Sequence, residues 1–176
     1  MGRDAAGNEL VSTTDASGSK ITSKSITFSG SNTTVNVPLF SVTGSVEVKS
    51  LYGVVTTALG NHTAAYFRFN DGTAAVDITL ATGTTLSSAT AGSVVSRRSL
   101  VTVAAAFNNS SAARVSDPVN ANTSSYFSPF VASQKTNSVS SNIEYTYTTT
   151  DTPTSGAIQF FCEWRPLSDN GNVTAV

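Results

Sequence analysis

The sequence holds little of what usually carries charge, metal or redox chemistry. Only 12% of its 176 residues are Asp, Glu, Lys or Arg, about half the roughly 25% of an average globular domain. The 10 basic and 11 acidic residues leave a net charge of -1. They never gather into a run, and Arg97-Arg98 is the densest basic cluster. Without a basic stripe there is no electrostatic footprint for phosphates, so nucleic acid is not an expected partner. Cys162 is the single cysteine, which excludes an intrachain disulfide. His62 is the single histidine. One thiol and one imidazole fall short of a structural zinc site, so no metal or other cofactor is expected. No apolar run approaches the ~18 residues of a membrane helix, and no membrane partner is expected. Residues 1–20 also lack the apolar core of a signal peptide, so the chain is expected to stay unexported. Its N-x-S/T sites at Asn32, Asn61, Asn108, Asn109, Asn122 and Asn172 are then expected to be unmodified.

What the sequence does hold is hydroxyl. Ser and Thr number 53, and 39% of residues are hydrophobic. Hydroxyl-rich surface is weakly hydrated and easily buried, and shortage of Lys, Glu and Asp marks the centre of protein interfaces. Thr also suits strands, so a plain β-protein with a Thr-rich face explains the same composition. The length suits one domain.

Two regions differ in character. Residues 1–20, MGRDAAGNELVSTTDASGSK, are polar, with Leu10-Val11 the only hydrophobic point. They read as an extended N-terminal arm, fixed only where a surface holds it. The shortage of apolar side chains favours a neighbouring subunit, with Arg3, Leu10 and Val11 as the contacts. Residues 21–176 alternate with period two and read as a single domain. Ile26 and Phe28 share a face. Phe40, Val42, Val46 and Val48 fall on one parity, with Gly44 as a bend and Pro38 as an edge or bulge position. Tyr66-Phe67-Arg68-Phe69, Asn70-Asp71-Gly72 and Val76–Leu80 read as a hairpin, with Asp77 and Thr79 outward and Asp71-Gly72 in the turn. Short strands are expected at Ser93–Val95 and Leu100–Val103, and Ala104–Phe107 reads as a helical turn. Tyr126, Phe127 and Phe130 form an aromatic patch in a polar loop, either a plug over the core or an exposed interface. Ile143, Tyr145 and Tyr147 alternate with Glu144, Thr146 and Thr148. Ile158, Phe160, Cys162 and Trp164 alternate with Gln159, Phe161, Glu163 and Arg165. These last two runs are expected to pair antiparallel, ahead of a short tail. Seven to nine strands and no sustained helix predict an all-β fold, an antiparallel β-sandwich or jelly-roll-like domain.

No constellation identifies a chemistry. A triad would have to use His62, which lies in a loop, and no Gly-x-Ser-x-Gly elbow occurs. Cys162 has the parity of a core residue. The strand carboxylates Glu47, Asp77, Glu144 and Glu163 alternate with core residues and are expected to face outward, with no pair marked for glycoside hydrolysis. No enzyme activity, catalytic residue or small-molecule ligand is expected. A carbohydrate-binding or adhesin module is the rival, with Tyr66, Tyr126 or Trp164 as sugar platforms.

Ile26-Thr27-Phe28-Ser29-Gly30, followed by Val37-Pro38-Leu39-Phe40-Ser41-Val42-Thr43-Gly44-Ser45-Val46, resembles the opening of small structural proteins of tailed bacteriophages. Ala157-Ile158-Gln159-Phe160, through Arg165-Pro166-Leu167-Ser168-Asp169-Asn170-Gly171, resembles their ends. The resemblance implies a virion component assembled in the host cytoplasm. Its best specific form is a head decoration, or cement, protein that binds the major capsid protein or other virion subunits as a homotrimer. A tail, neck or head-fibre component is the alternative. The motifs bring no catalytic residues with them.

Overall fold

The structure, a computed structural model, describes residues 18–30, 34–79, 86–87, 89–96, 106–108, 129–134, 140–149 and 154–176. The described residues form eleven strands: β1 Lys20–Thr27, β2 Thr34–Thr43, β3 Ser45–Gly60, β4 Thr63–Asn70, β5 Ala75–Asp77, β6 Val94–Ser96, β7 Ala106–Asn108, β8 Phe130–Ser133, β9 Ser141–Thr148, β10 Ser155–Pro166 and β11 Asn172–Ala175. No helix occurs among them. Two antiparallel sheets pack face to face as a β-sandwich. One sheet has the order β1-β10-β3-β6-β7, with β8 also on β3; the other has the order β11-β2-β9-β4-β5. The 16-residue β3 takes β10 along one side and β8 and β6 at successive points of the other.

Much of the core is the row that parity predicts: Phe40, Val42, Val46 and Val48 are buried along β2 and β3, and Ile158, Phe160, Cys162 and Trp164 along β10. Past Val48 a register shift against Glu163 and Trp164 reverses the parity of β3, so Leu51 and Val55 are buried while Tyr52 and Val54 take the other face. Ile143, Tyr145 and Tyr147 face the buried row from β9. Here the expected pairing is corrected. β9 pairs with β2 and β4, whereas β10 pairs with β1 and β3. The two runs lie in opposite sheets and meet across the core, with the Tyr145 and Phe160 rings 4.9 Å apart. The physical reason is burial. Each run carries a full row of large side chains, and such rows are removed from water best by an opposing layer.

The chain passes between the sheets at several points, among them the following three. Between β2 and β3 it turns at Gly44, φ +60°. Between β3 and β4 it crosses in two residues, Asn61 and His62, with Asn61 at φ +49°. The third leads from β9 to β10, whose second residue, Gly156, has φ +101°. A methyl group there would lie 2.4 Å from the Ala58 carbonyl oxygen, so glycine allows the close approach of β10 to β3.

The Gly44 crossing also accounts for the paired motifs. The Ser45 amide donates to Ser168 Oγ (2.9 Å), and the Leu167 amide donates to the Ser45 carbonyl (2.9 Å). A Cβ on Gly44 would collide with Asn170, and one on Gly171 with the Ser45 carbonyl. The segments Thr43–Val46 and Pro166–Gly171, distant in sequence, are therefore one packed corner of the sandwich.

Smaller expectations fare variously. Pro38 sits at a break in the β2–β9 register, as a bulge position should. The hairpin forms with Gly72 at φ +83°. Its second strand stops at Asp77, because the Phe67 carbonyl accepts both the Ile78 and Thr79 amides. Past that point Thr79 is buried rather than outward, its hydroxyl accepting from the Phe67 amide (3.0 Å), whereas Val76 keeps the row of its partner Phe69 but is exposed on the edge strand. Ala106–Asn108 is a strand on β6 rather than part of a helical turn. The expected tail is a strand too, β11 on β2. The expected Leu100–Val103 strand lies outside the described residues.

Candidate interaction surfaces

His62 and Cys162 are the only side chains of their kinds, and both are fully buried. His62 occupies the end of the core at the β3–β4 crossing. Its ring stacks on Tyr147 at 4.3 Å, and Phe28 meets it edge-on at 4.7 Å. Its Nε2 is 2.8 Å from the Tyr145 hydroxyl. The Thr154 hydroxyl donates to the Gly60 carbonyl (3.0 Å) and lies 3.5 Å from His62 Nδ1. The two ring nitrogens thus each face a hydroxyl, Tyr145 at Nε2 and Thr154 at Nδ1. Burial lowers the His62 pKa to about 4, so the ring is neutral at pH 7. Burial first, and then the neighbouring Glu163 charge, push the Cys162 thiol up to about 12. A buried thiol held protonated is a poor nucleophile. Among the described residues, no three His, Cys, Asp or Glu side chains gather to hold a metal ion.

Of the residues expected to bind partners, Arg3, Leu10, Val11, Tyr126 and Phe127 lie outside the described residues. Phe130 opens β8, paired with Val48 of β3, and packs half-buried against the core rather than standing in a loop. Its neighbour Val131 takes the outward position. Of the expected sugar platforms, Trp164 is buried and donates its Nε1–H to Thr22 Oγ1 (3.0 Å), so it offers no face to a ligand. Tyr66 is half-exposed on β4, and Tyr126 is outside the described residues.

Three kinds of outer surface remain. The first is the strand edges. Ile21 on β1, Val76 on β5 and Val131 on β8 are 70%, 64% and 62% exposed. Among the described residues, each of these strands pairs on one side only. The other large exposed apolar side chains, Leu167 and Val176, follow β10 and β11. Among the described residues, the three most exposed apolar side chains thus stand on strands that have a partner on one side only. The second is the outer face of the six-stranded sheet. Tyr52 and Phe161 stack there at 5.0 Å with 17° between their planes. Ser23, Ser50, Gln159 and Val54 occupy register positions around them.

The third is the outer face of the five-stranded sheet, which is polar. Register aligns Asn36, Thr146 and Tyr66 in one row, Pro38, Glu144, Arg68 and Asp77 in the next, and Ser41, Asn142, Asn70 and Ala75 in a third. Glu144 was expected to face outward. It does, yet it is only 4% exposed. It sits on the central strand, and long side chains on both sides close over it. Glu144 Oε1 accepts from Asn70 Nδ2 (2.9 Å), and Oε2 lies 3.2 Å from Arg68 Nε. Arg68 reaches over β9 to Asn36 Oδ1 (3.3 Å), which also accepts from Thr146 Oγ1 (2.8 Å). Sequence reading misses this cluster, because its members come from three strands whose order is not written in any one of them. The chain matches no protein family, curated protein or solved structure.

Proposed function

We propose that the chain is a structural virion protein, a decoration or cement subunit on the outside of a tailed-phage head. The observation that carries this reading is the placing of Ile21, Val76 and Val131 on three strand edges. Edges with exposed apolar side chains suit contacts with several neighbouring proteins at once. A cement protein works in this way, since many modest contacts spread over subunits add up through avidity. Two further features support the reading. Scarcity of charge lowers the desolvation cost of docking. The corner that joins Thr43–Val46 to Pro166–Gly171 gives the phage-like motifs one packing role. The proposed partners are the major capsid protein and two further copies in a trimer, and no catalysis is assigned.

Copy number on the purified source particle tests this, measured by quantitative mass spectrometry with cryo-EM for position. Hundreds of copies on the shell are expected. A dozen or fewer at the neck or tail would replace the proposal with the tail, neck or head-fibre alternative, and absence from the particle would end both.

A further inference from the structure

The polar face of the five-stranded sheet gathers buried polar atoms around the Arg68–Glu144 ion pair. Arg68 Nε, Glu144 Oε2 and Asn142 Oδ1 are all buried and make no hydrogen bond. Nε and Oε2 are close at 3.2 Å but misaligned, so the ion pair leaves both a donor and an acceptor open. Native proteins leave few such groups, and these three lie in two adjacent register rows, close enough for the hydroxyls of one ligand to reach together. The exposed margin is suited to a ligand: Asn36 and Asp77 are exposed, and Tyr66, Arg68, Asn70 and Asn142 are half-exposed.

We propose that this face is a binding site for a neutral polyhydroxylated ligand, a carbohydrate, centred on Glu144 and Arg68 and flanked by Asn36, Tyr66, Asn70 and Asn142.

Charge selects the class. The Arg68–Glu144 pair is neutral as a unit, and Asp77 in the same row adds one negative charge. A phosphate or sulfate would face Glu144 and Asp77, and a cation would face Arg68. A hydroxyl group both donates and accepts. Two neighbouring hydroxyls can therefore donate to Glu144 Oε2 and Asn142 Oδ1 while one of them accepts from Arg68. Arg68 lies over Glu144 and is the more exposed of the two, its side chain 21% exposed against 6%, so it is the group that a ligand meets first. The Tyr66 ring, one row away, supplies an apolar surface for the C–H face of a sugar. This inference does not rest on the virion reading. It is tested on the isolated chain, and its failure leaves the copy-number test unaffected.

The experiment is NMR titration of the full chain with a panel of neutral oligosaccharides built from glucose, galactose, mannose and N-acetylglucosamine. At least one member is expected to shift the resonances of Asn36, Tyr66, Asn70 and Asn142 saturably. Asn36→Ala and Tyr66→Ala, both outward-facing and expected to fold normally, should each weaken binding about tenfold or more, as loss of a buried polar or stacking contact does. Glu144→Gln keeps the shape, changes the charge and should weaken binding as well, with its fold checked by thermal melting. A panel that shifts none of these resonances would overturn the site. So would binding that maps to the Tyr52 and Phe161 face, or binding unchanged in both alanine variants.

Discussion

His62 shows how one residue can be misjudged by local pattern and explained by its neighbours. Gly60-Asn61-His62-Thr63 reads as a loop, and a loop histidine is ordinarily solvated. The crossing between sheets takes only two residues, so the ring is pulled into the end of the core, between Phe28 and Tyr147. Desolvation holds its folded pKa at about 4, below the ordinary 6.5. The unfolded chain therefore binds more protons between those values, and stability falls as pH falls. The contribution is whole above pH 6.5, drains between 6.5 and about 4, and levels off below. The full loss is on the order of 3 kcal/mol. Melting temperatures taken from pH 8 to pH 4 should show this slope, and His62→Gln, which cannot protonate, should flatten it. Equal slopes in the two proteins would mean that the ring is not held neutral by the fold.

At the scale of strands, alternation decides which way a side chain faces but not which strand lies beside it. Ile158, Phe160, Cys162 and Trp164 point inward as their parity predicts. Yet β10 and β9 became opposing layers rather than neighbours, because pairing is set by contacts far along the chain. The difference between the two faces of β10 can be measured. Phe160→Ala empties a core position against Phe67 and Tyr145 and should cost about 3–5 kcal/mol. Phe161→Ala removes only a half-buried ring stacked on Tyr52 and should cost about 1 kcal/mol. Urea denaturation of the two variants checks the order, and equal losses would contradict the facing. Glu144 teaches the same lesson from the polar side. Its outward parity is legible, whereas its burial depends on Arg68 and Asn70 arriving from β4, which no local reading supplies.

For the molecule as a whole, the sandwich and the arm should separate. Lys20 is the first residue of β1, and the buried Ser19 bonds the Lys49 ammonium, so both belong with the sandwich. Inward of them, β1 joins the other sheet. Thr22 Oγ1 donates to the Val173 carbonyl (3.1 Å), and Lys24 Nζ donates to the Pro38 carbonyl (2.9 Å) and to Val176 O. Deleting residues 1–17 keeps every one of these contacts. The truncated chain should melt within a few degrees of the full chain and lose binding to the source particle, measured by co-sedimentation. Unchanged binding would remove the arm from the proposed mode of attachment and leave the strand edges to account for it.

Local chemistry alone settled a great deal here: a period of two, the inward rows, the turn at Asp71-Gly72 and the bend at Gly44. Each of these follows from sterics or polarity within a few residues. The scarcity of charged and redox-active side chains also needs no structure to be seen. Three-dimensional packing decided the rest. It chose the sheet that each strand joined, drew His62 into the core and gathered Glu144, Arg68, Asn70 and Asn36 from three strands into one patch. The reason is physical: side-chain direction is fixed by adjacent peptide units, whereas strand neighbours are chosen by how much apolar surface the finished pair of sheets removes from water.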